Sequence, residues 1–134
     1  AYEIRLSLVG SEMCIRDRDP KTNKGGKPVA WACPGLSAGI GTEIGLACHK
    51  RFLANSPRSK VGLPEILVGL FPGAGGTTRL VRMFGAMAAS PLLLEGKMLN
   101  PKAARAAGLV DEIVEPEKLL ESAKKWILEA LKAT

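Results

Sequence analysis

Two glutamates each end a short block that contains glycine, and the two blocks predict different kinds of backbone. Glu43 closes residues 39–43 (GIGTE), and Glu65 closes residues 62–65 (GLPE). The first is expected at the mouth of a helix, where the helix dipole favours a carboxylate. The second follows a proline, whose fixed φ stiffens the loop. Two carboxylates beside glycine-exposed backbone amides suit a site that transfers protons and stabilises an oxyanion.

The first eighteen residues are predicted to have a different origin from the rest of the chain. Residues 8–17 (LVGSEMCIRD) back-translate without a mismatch to the end of a transposon-type library adapter, and residues 1–4 (AYEI) fit the start of such an adapter. Residues 5–7 have the length of a variable index. We therefore predict that residues 1–18 are translated adapter and not protein that evolved to fold. The alternative is a natural N-terminal strand or a clipped signal.

The remaining residues, 19–134, suffice for one small domain or a piece of a larger one. They carry the whole net charge of +6, because the first eighteen residues contain equal numbers of acidic and basic side chains. The positive charges are scattered and form no tract with interleaved aromatic residues, which argues against nucleic-acid binding. Small ligands that carry phosphate groups remain compatible with this charge.

Two further observations indicate a cytosolic protein. Cys33 and Cys48 lie in apolar surroundings without a CxxC motif, so we expect reduced thiols in the core. The sequence contains no run of eighteen apolar residues, and no membrane span is expected. The bacterial cytoplasm is the predicted location, with mitochondria or peroxisomes as alternatives.

Short apolar runs alternate with helical patterns, which predicts an α/β domain. Predicted strands cover residues 29–33, 51–54, 60–63 and 109–114. Predicted helices cover residues 42–50, 77–84 and 86–94, with a small-residue turn over 37–41. Thr42 is the predicted cap of the first helix.

The last third of the chain has clear helix boundaries. Asn100 precedes a proline at the first position of a helix, and Gly108 stands where that helix should stop. From Pro116 onward, apolar residues recur at helical spacing and predict an amphipathic helix. Trp126 is the expected anchor of that helix.

Several blocks of the sequence resemble the crotonase (enoyl-CoA hydratase/isomerase) superfamily in order and spacing. The match begins at residues 27–29 (KPV) and 35, includes both glutamate blocks, and continues through 69–77 (GLFPGAGGT), 79–80 (RL), 96–97 (GK), 103–104 (AA) and 107–111 (AGLVD). Residues 55–60 (NSPRSK) and 92–97 (LLLEGK) are most similar to the hydratase domain of the multifunctional β-oxidation α subunit. The resemblance implies a spiral core of repeated β-β-α units. Residues 19–134 would supply its C-terminal part only, followed by a helical C-terminal region.

The same resemblance implies roles for the two glutamates. Glu43 would position and deprotonate the water that attacks the β carbon of trans-2-enoyl-CoA. Glu65 would deliver the proton to the α carbon. Neither a metal ion nor a separate cofactor is implied, because coenzyme A is part of the substrate.

Protonation at the α carbon passes through an enolate-like thioester, whose oxygen needs fixed donors. By resemblance, the donor is the amide of Ile40, flanked by Gly39 and Gly41. The residues implied for the acyl pocket are Leu70, Phe71, Pro72 and Gly73.

The chain departs from the family pattern in four ways. Isoleucine replaces the usual glycine at position 40, and its β-branched side chain is expected to restrict the backbone and crowd a close approach. Pro34 stands where asparagine is common, and Thr42 replaces an apolar residue. The second oxyanion donor of the family precedes Lys27, and nothing in residues 19–26 supplies it. We therefore expect a truncated gene product with little or no activity by itself.

Three functions remain open on the sequence. The first is hydration of trans-2-enoyl-CoA in fatty-acid β-oxidation, favoured because both glutamates are present. The second is isomerisation of an enoyl-CoA or another CoA-thioester reaction. The third is a non-catalytic acyl-CoA-binding or assembly module in which Ile40 blocks the oxyanion pocket. Family members form homo-oligomers or multi-subunit complexes, and the same is expected here.

Two other motifs have structural and functional interpretations. Residues 73–76 (GAGG) could cradle a phosphate, but they lack the Gly-Lys-Ser/Thr ending of nucleotide loops, so a tight turn is favoured. His49 has no acidic partner or second histidine nearby in the sequence that would indicate a metal site. A structural role is therefore expected for it.

Overall fold

The structure, a computed structural model, describes residues 26–132. The segment predicted as translated adapter, residues 1–18, and the loop after it up to residue 25 lie outside the described residues. The strands are β1 (Ala30–Cys33), β2 (Leu36–Ala38), β3 (Lys50–Ala54), β4 (Lys60–Gly62) and β5 (Glu112–Val114). The α-helices are α1 (Ile40–Ala47), α2 (Gly76–Phe84), α3 (Ala86–Leu94), α4 (Pro101–Ala106) and α5 (Leu119–Lys132), and two 3₁₀ turns cover Pro64–Val68 and Pro116–Lys118.

The strands form two parallel sheets, and each sheet takes one strand from each of two successive β-β-α units. One has the order β1-β3-β5, and the other pairs β2 with β4. In chain order, β1, β2 and α1 form one unit, and β3, β4 and α2 form the next. Each strand of the second unit pairs with its counterpart in the first. The repeated β-β-α arrangement predicted from the resemblance is therefore present.

The three-stranded sheet separates two apolar clusters, because side chains alternate between its faces. Phe52 packs with Leu119 and Ala123 of α5 on one face. Leu53, one residue along the same strand, belongs to the larger cluster that includes Leu80 of α2. Trp126 lies against the first cluster, as expected of the anchor of α5.

The first helix is capped three residues before the predicted cap and begins at Ile40. Gly39 is the N-cap, with φ 60° and ψ −127°, a conformation that a residue with a side chain rarely adopts. Thr42 lies buried inside α1, where its hydroxyl donates to the carbonyl of Ser37 at 2.8 Å. The prediction of Thr42 as the cap was therefore wrong. The predicted turn at residues 37–41 was also wrong in part, because residues 36–38 form β2.

The same helix ends at Ala47, three residues earlier than predicted. Cys48 is extended, with ψ 157°. His49 forms hydrogen bonds with Val29, the residue just before β1. The Val29 amide donates to His49 Nδ1 at 3.0 Å, and the His49 amide donates to the Val29 carbonyl at 3.0 Å. These bonds confirm a structural role for His49.

The boundaries of α4 are those predicted. Asn100 accepts a hydrogen bond from the Ala103 amide at 2.8 Å, which caps the helix. Gly108 has φ 79°, the left-handed conformation that often follows a helix. The cap and the stop signal were both confirmed.

The last strand begins later than predicted, at Glu112 rather than Leu109. The amides of Leu109 and Val110 both donate to the Ala104 carbonyl, at 2.9 and 3.3 Å. Those bonds close the end of α4 and hold the two residues out of the sheet.

Cys33 and Cys48 are buried free thiols, as expected. Burial raises the pKa of the Cys48 thiol from 9.0 to about 11, with opposition from the positive charges of Arg51 and Arg79. The folded state therefore keeps a proton that the unfolded chain releases in this range.

The stabilising effect of the protonated Cys48 thiol should be complete below pH 9.0 and decline towards pH 11. One such group lowers the free energy of unfolding by up to about 1.4 kcal/mol per pH unit. Urea denaturation of the chain and of Cys48→Ala across this range measures the effect. We expect a steeper decline for the unmodified chain, and parallel curves would contradict the assignment to Cys48.

Candidate active site

Glu43 is held by backbone amides at the start of α2 and in the loop just before it. It occupies the first turn of α1, as predicted, and its side chain is buried with 3% exposure. The amides of Ala74 and Gly76 donate to its Oε1 atom at 2.9 and 2.8 Å. Hydrogen bonds to a charged acceptor are stronger than neutral ones. Since both bonds end on the same oxygen, they fix the side chain without engaging Oε2.

Glycines make this approach possible. A Cβ atom on Gly76 would lie 2.7 Å from Glu43 Oε1, and Gly75 has φ 87°. We call residues 74–76 the clamp loop. Residues 74–75 form a bend that leads directly into α2, where a tight turn was expected. The amides of Ala74 and Gly76 bind a carboxylate of the same chain, where a phosphate had been the alternative.

Glu65 approaches the start of α1 from the other glutamate block. It lies in the 3₁₀ turn Pro64–Val68, a more regular element than the predicted loop. A Cβ atom on Gly39 would lie 3.1 Å from Glu65 Oε1, so the absence of a side chain at position 39 makes room for the carboxylate. Among the described residues, the buried Oε2 atom of Glu65 has no hydrogen-bond partner.

The pairing of β2 with β4 brings the two glutamate blocks together. The strands are parallel and in register, with Ala38 opposite Gly62 at their carboxyl ends. The Gly39 amide donates to the Gly62 carbonyl at 3.2 Å, which extends the pairing by one residue. The two segments that end in Glu43 and Glu65 therefore both start at the carboxyl end of the β2–β4 sheet. Glu65 reaches the N-cap of the helix that carries Glu43.

The predicted oxyanion residues form the first turn of α1. The amides of Thr42 and Glu43 donate to the Gly39 carbonyl, each at 3.0 Å. The amides of Ile40 and Gly41 precede them, at positions where a helix offers no acceptor. Thus the structure places the predicted donor at a helix N-terminus, where the dipole favours negative charge.

Ile40 is compatible with this backbone. The left-handed conformation falls on Gly39, and Ile40 itself is the first residue of α1. The expected restriction of the backbone by its β-branched side chain is therefore not a source of strain. Its side chain is 58% exposed. Gly41 has a packing role, since a Cβ atom there would lie 2.9 Å from Ser37 Oγ.

The predicted acyl-pocket residues lie on the surface of the described part of the chain. Leu70 and Phe71 are 61% and 80% exposed, Gly73 is exposed and Pro72 is half-buried. They continue an exposed apolar segment that starts at Ile66. The structure thus brings the two glutamates and the oxyanion residues together, whereas residues 70–73 remain open to solvent.

Sequence reasoning missed three groups at this site: the amides of Ala74 and Gly76, and the side chain of Arg79. Arg79 Nη1 donates to the Ala74 carbonyl at 2.7 Å. The glycine run was a usable signal for the two amides, because closely spaced glycines permit backbone amides to converge on an anion. Nothing in the sequence pattern indicated the contact of Arg79.

Between residues 26 and 132, no group of three His, Cys, Asp or Glu side chains is arranged to hold a metal ion. Within the same range, the helices are too short or too polar to cross a membrane.

Comparison with known proteins identifies the family. The sequence profile described as enoyl-CoA hydratase/isomerase matches residues 19–134. The chain is 43% identical over 105 residues to the glyoxysomal fatty acid beta-oxidation multifunctional protein of Cucumis sativus. The aligned residues cover 78% of this chain and 14% of that protein. It is 45% identical over 101 residues to the fatty acid oxidation complex subunit alpha of Shewanella halifaxensis, covering 75% of this chain and 14% of the relative.

A solved structure agrees with the sequence comparisons. Enoyl-CoA hydratase from Bacillus anthracis is 30% identical, with a TM-score of 0.75, and the match covers 97% of this chain and 48% of that chain. The chain thus spans about half the length of this solved structure and 14% of the length of each of the two curated relatives named above. It belongs to the enoyl-CoA hydratase/isomerase family, with the predicted crotonase-like α/β fold.

Proposed function

We propose that this chain supplies the two acid–base groups of a site that hydrates trans-2-enoyl-CoA to 3-hydroxyacyl-CoA in fatty-acid β-oxidation. The observation that carries the proposal is the convergence of Glu43 and Glu65 on one helix N-terminus. Glu43 is fixed by two amides, and Glu65 presents an oxygen without a partner among the described residues. The two curated relatives are named as fatty-acid oxidation proteins, which supports the same chemistry here.

The proposed reaction adds water across the α,β double bond of the thioester. Glu43 orients the water and takes its proton as the oxygen bonds to the β carbon. Glu65 gives a proton to the α carbon, and the two carboxyl groups then restore their protonation states by exchange with solvent. Negative charge develops on the thioester oxygen between these events, and the Ile40 amide donates to it. The rigid hold on Glu43 suits a group whose task is orientation.

Two alternatives have some support. Isomerisation of an enoyl-CoA requires only a proton shuttle, and the presence of two converging glutamates favours hydration over it. A non-catalytic acyl-CoA-binding module is favoured by the exposed Ile40 side chain, which stands beside the proposed oxyanion amide. Hydration remains the better explanation because a binding module needs neither glutamate.

The wider assignments follow from the same proposal. The full protein would act as a homo-oligomer or in a multi-subunit β-oxidation complex in the bacterial cytoplasm. The glyoxysomal location in the name of one relative keeps a peroxisomal location as the alternative. The reaction needs no separate cofactor, because coenzyme A belongs to the substrate.

The protein translated from the complete gene that encodes residues 19–134, called the longest gene product below, should consume a short trans-2-enoyl-CoA. Loss of the absorbance of the conjugated thioester follows the reaction, and mass spectrometry in heavy-oxygen water should find the label in the new hydroxyl group. Gain of that absorbance from a 3-enoyl-CoA would instead support isomerisation. Binding of acyl-CoA without turnover of either substrate would contradict the proposal and favour the module.

A further inference from the structure

Arg79 binds a backbone carbonyl of the clamp loop, and two backbone amides of the same loop bind Glu43. It lies on α2, one turn from the clamp loop. Its Nη1 atom donates to the Ala74 carbonyl at 2.7 Å, and its backbone amide donates to the Gly75 carbonyl at 3.0 Å. The backbone bond is the first i→i−4 bond of α2, which other residues at this position would also make, so the contribution specific to the arginine side chain is the bond to the Ala74 carbonyl.

These bonds fix the direction in which the loop amides point. The Gly75 carbonyl and the Gly76 amide belong to one peptide plane, which is bonded to the backbone amide of Arg79 on one side and to Glu43 on the other. The adjoining plane begins with the Ala74 carbonyl, which the guanidinium holds. A peptide plane bonded at both ends cannot rotate without losing both bonds, and chains of such bonds strengthen one another.

Gly75 and Arg79 are matched in shape. A Cβ atom on Gly75 would lie 2.5 Å from Arg79 Nη1, so the guanidinium occupies the space that a side chain at position 75 would need. The φ of 87° at Gly75 turns the loop around this group. A lysine offers a compact ammonium in place of the planar fork and would fill this space differently.

We propose that Arg79 is a positioning residue for Glu43, acting through the clamp loop. This inference rests on the proposed function insofar as it concerns catalysis. Both amides that fix Glu43 Oε1 belong to the clamp loop, so a rotation of the loop displaces the carboxylate from the attacking water. Misplacement of a catalytic group by about 1 Å can lower a rate by about 10²-fold.

Arg79→Met tests the inference, with Arg82→Met as the matched control. Both changes remove a guanidinium from α2, but Arg82 is exposed and lies outside the clamp. In the longest gene product, Arg79→Met should lower kcat by about 10- to 100-fold with little change in KM, since Arg79 is not one of the residues proposed to bind acyl-CoA. Arg79→Lys should recover part of the loss, and Arg82→Met should leave kcat unchanged.

A second measurement does not depend on activity. Amide hydrogen exchange by NMR in the 134-residue chain should show faster exchange at Ala74 and Gly76 in Arg79→Met, by about tenfold or more. Arg82→Met should leave both rates unchanged. If Arg79→Met does not fold, Arg79→Lys provides the same comparison with a smaller expected change.

The outcomes separate the two claims. Unchanged exchange at Ala74 and Gly76 in a folded Arg79 variant would overturn the positioning role, whatever the activity. Faster exchange with unaltered kcat would also overturn it, because the clamp would then be irrelevant to turnover. Absence of hydration by the unmodified gene product would count against the proposed function alone, and the exchange rates would still decide whether Arg79 orders the clamp loop.

Discussion

Glu65→Gln is expected to lower kcat for enoyl-CoA hydration by about 10²- to 10⁴-fold, the usual contribution of a general acid or base. Glutamine has nearly the same shape, so the packing against Gly39 should survive. Its amide cannot supply an acidic proton to the α carbon. The unpartnered Oε2 atom, which the proposal assigns to this transfer, is replaced by a group with fixed hydrogens.

The assay is the loss of thioester absorbance in the longest gene product that carries this segment. Glu121→Gln is the control, because it makes the same side-chain change at a glutamate that is exposed on α5. Circular dichroism of both variants should match the unmodified protein. Full activity in a folded Glu65→Gln variant would remove Glu65 from the mechanism.

Gly76→Ala should disrupt the hold on Glu43 and destabilise the fold. The added methyl group would lie 2.7 Å from Glu43 Oε1 and 3.0 Å from Leu63 Cδ1, and Leu63 is buried. Overpacking of this kind costs about 1–3 kcal/mol. Weakening a hydrogen bond to a charged group adds about 1.5–3 kcal/mol. We expect a loss of about 3 kcal/mol in the free energy of unfolding, together with a large fall in kcat.

Gly73→Ala is the matched control for stability in the same glycine run. No atom lies within 4 Å of the position of its Cβ atom, and its φ is not in the left-handed range. Its free energy of unfolding should change by no more than about 0.5 kcal/mol. Chemical denaturation of the two alanine variants gives the comparison. Equal stabilities would show that the loop adjusts around the added methyl group and that the tight approach to Glu43 is dispensable.

Local chemistry made parts of the fold predictable. At α4, the Asn100 cap, the following proline and Gly108 each act within a few residues of the helix end, so the sequence alone locates the boundaries. At α1 the same reasoning chose Thr42, because threonine is a common cap. The helix is instead capped by Gly39, whose amide donates to the Gly62 carbonyl at the end of the neighbouring strand. A contact between residues so distant in sequence leaves no local signal.

The candidate site divides in the same way. Both glutamates were identified from their motifs, and their convergence depends on the register of β2 and β4, which residue patterns over three positions could not determine. The roles proposed for them remain predictions. The acyl-pocket residues also remain a prediction, since residues 70–73 are largely exposed in the described part of the chain.

The pairing of β2 with β4 also determines where the gene can change in length. An insertion in the exposed turn after β3 would leave both strand ends aligned, because it lies before the pairing begins. An insertion between Gly62 and Glu65 would shift the glutamate by up to about 3.3 Å for each extended residue, away from Gly39. Insertions and deletions should therefore be tolerated before β4 and eliminated by selection between the end of β4 and Glu65.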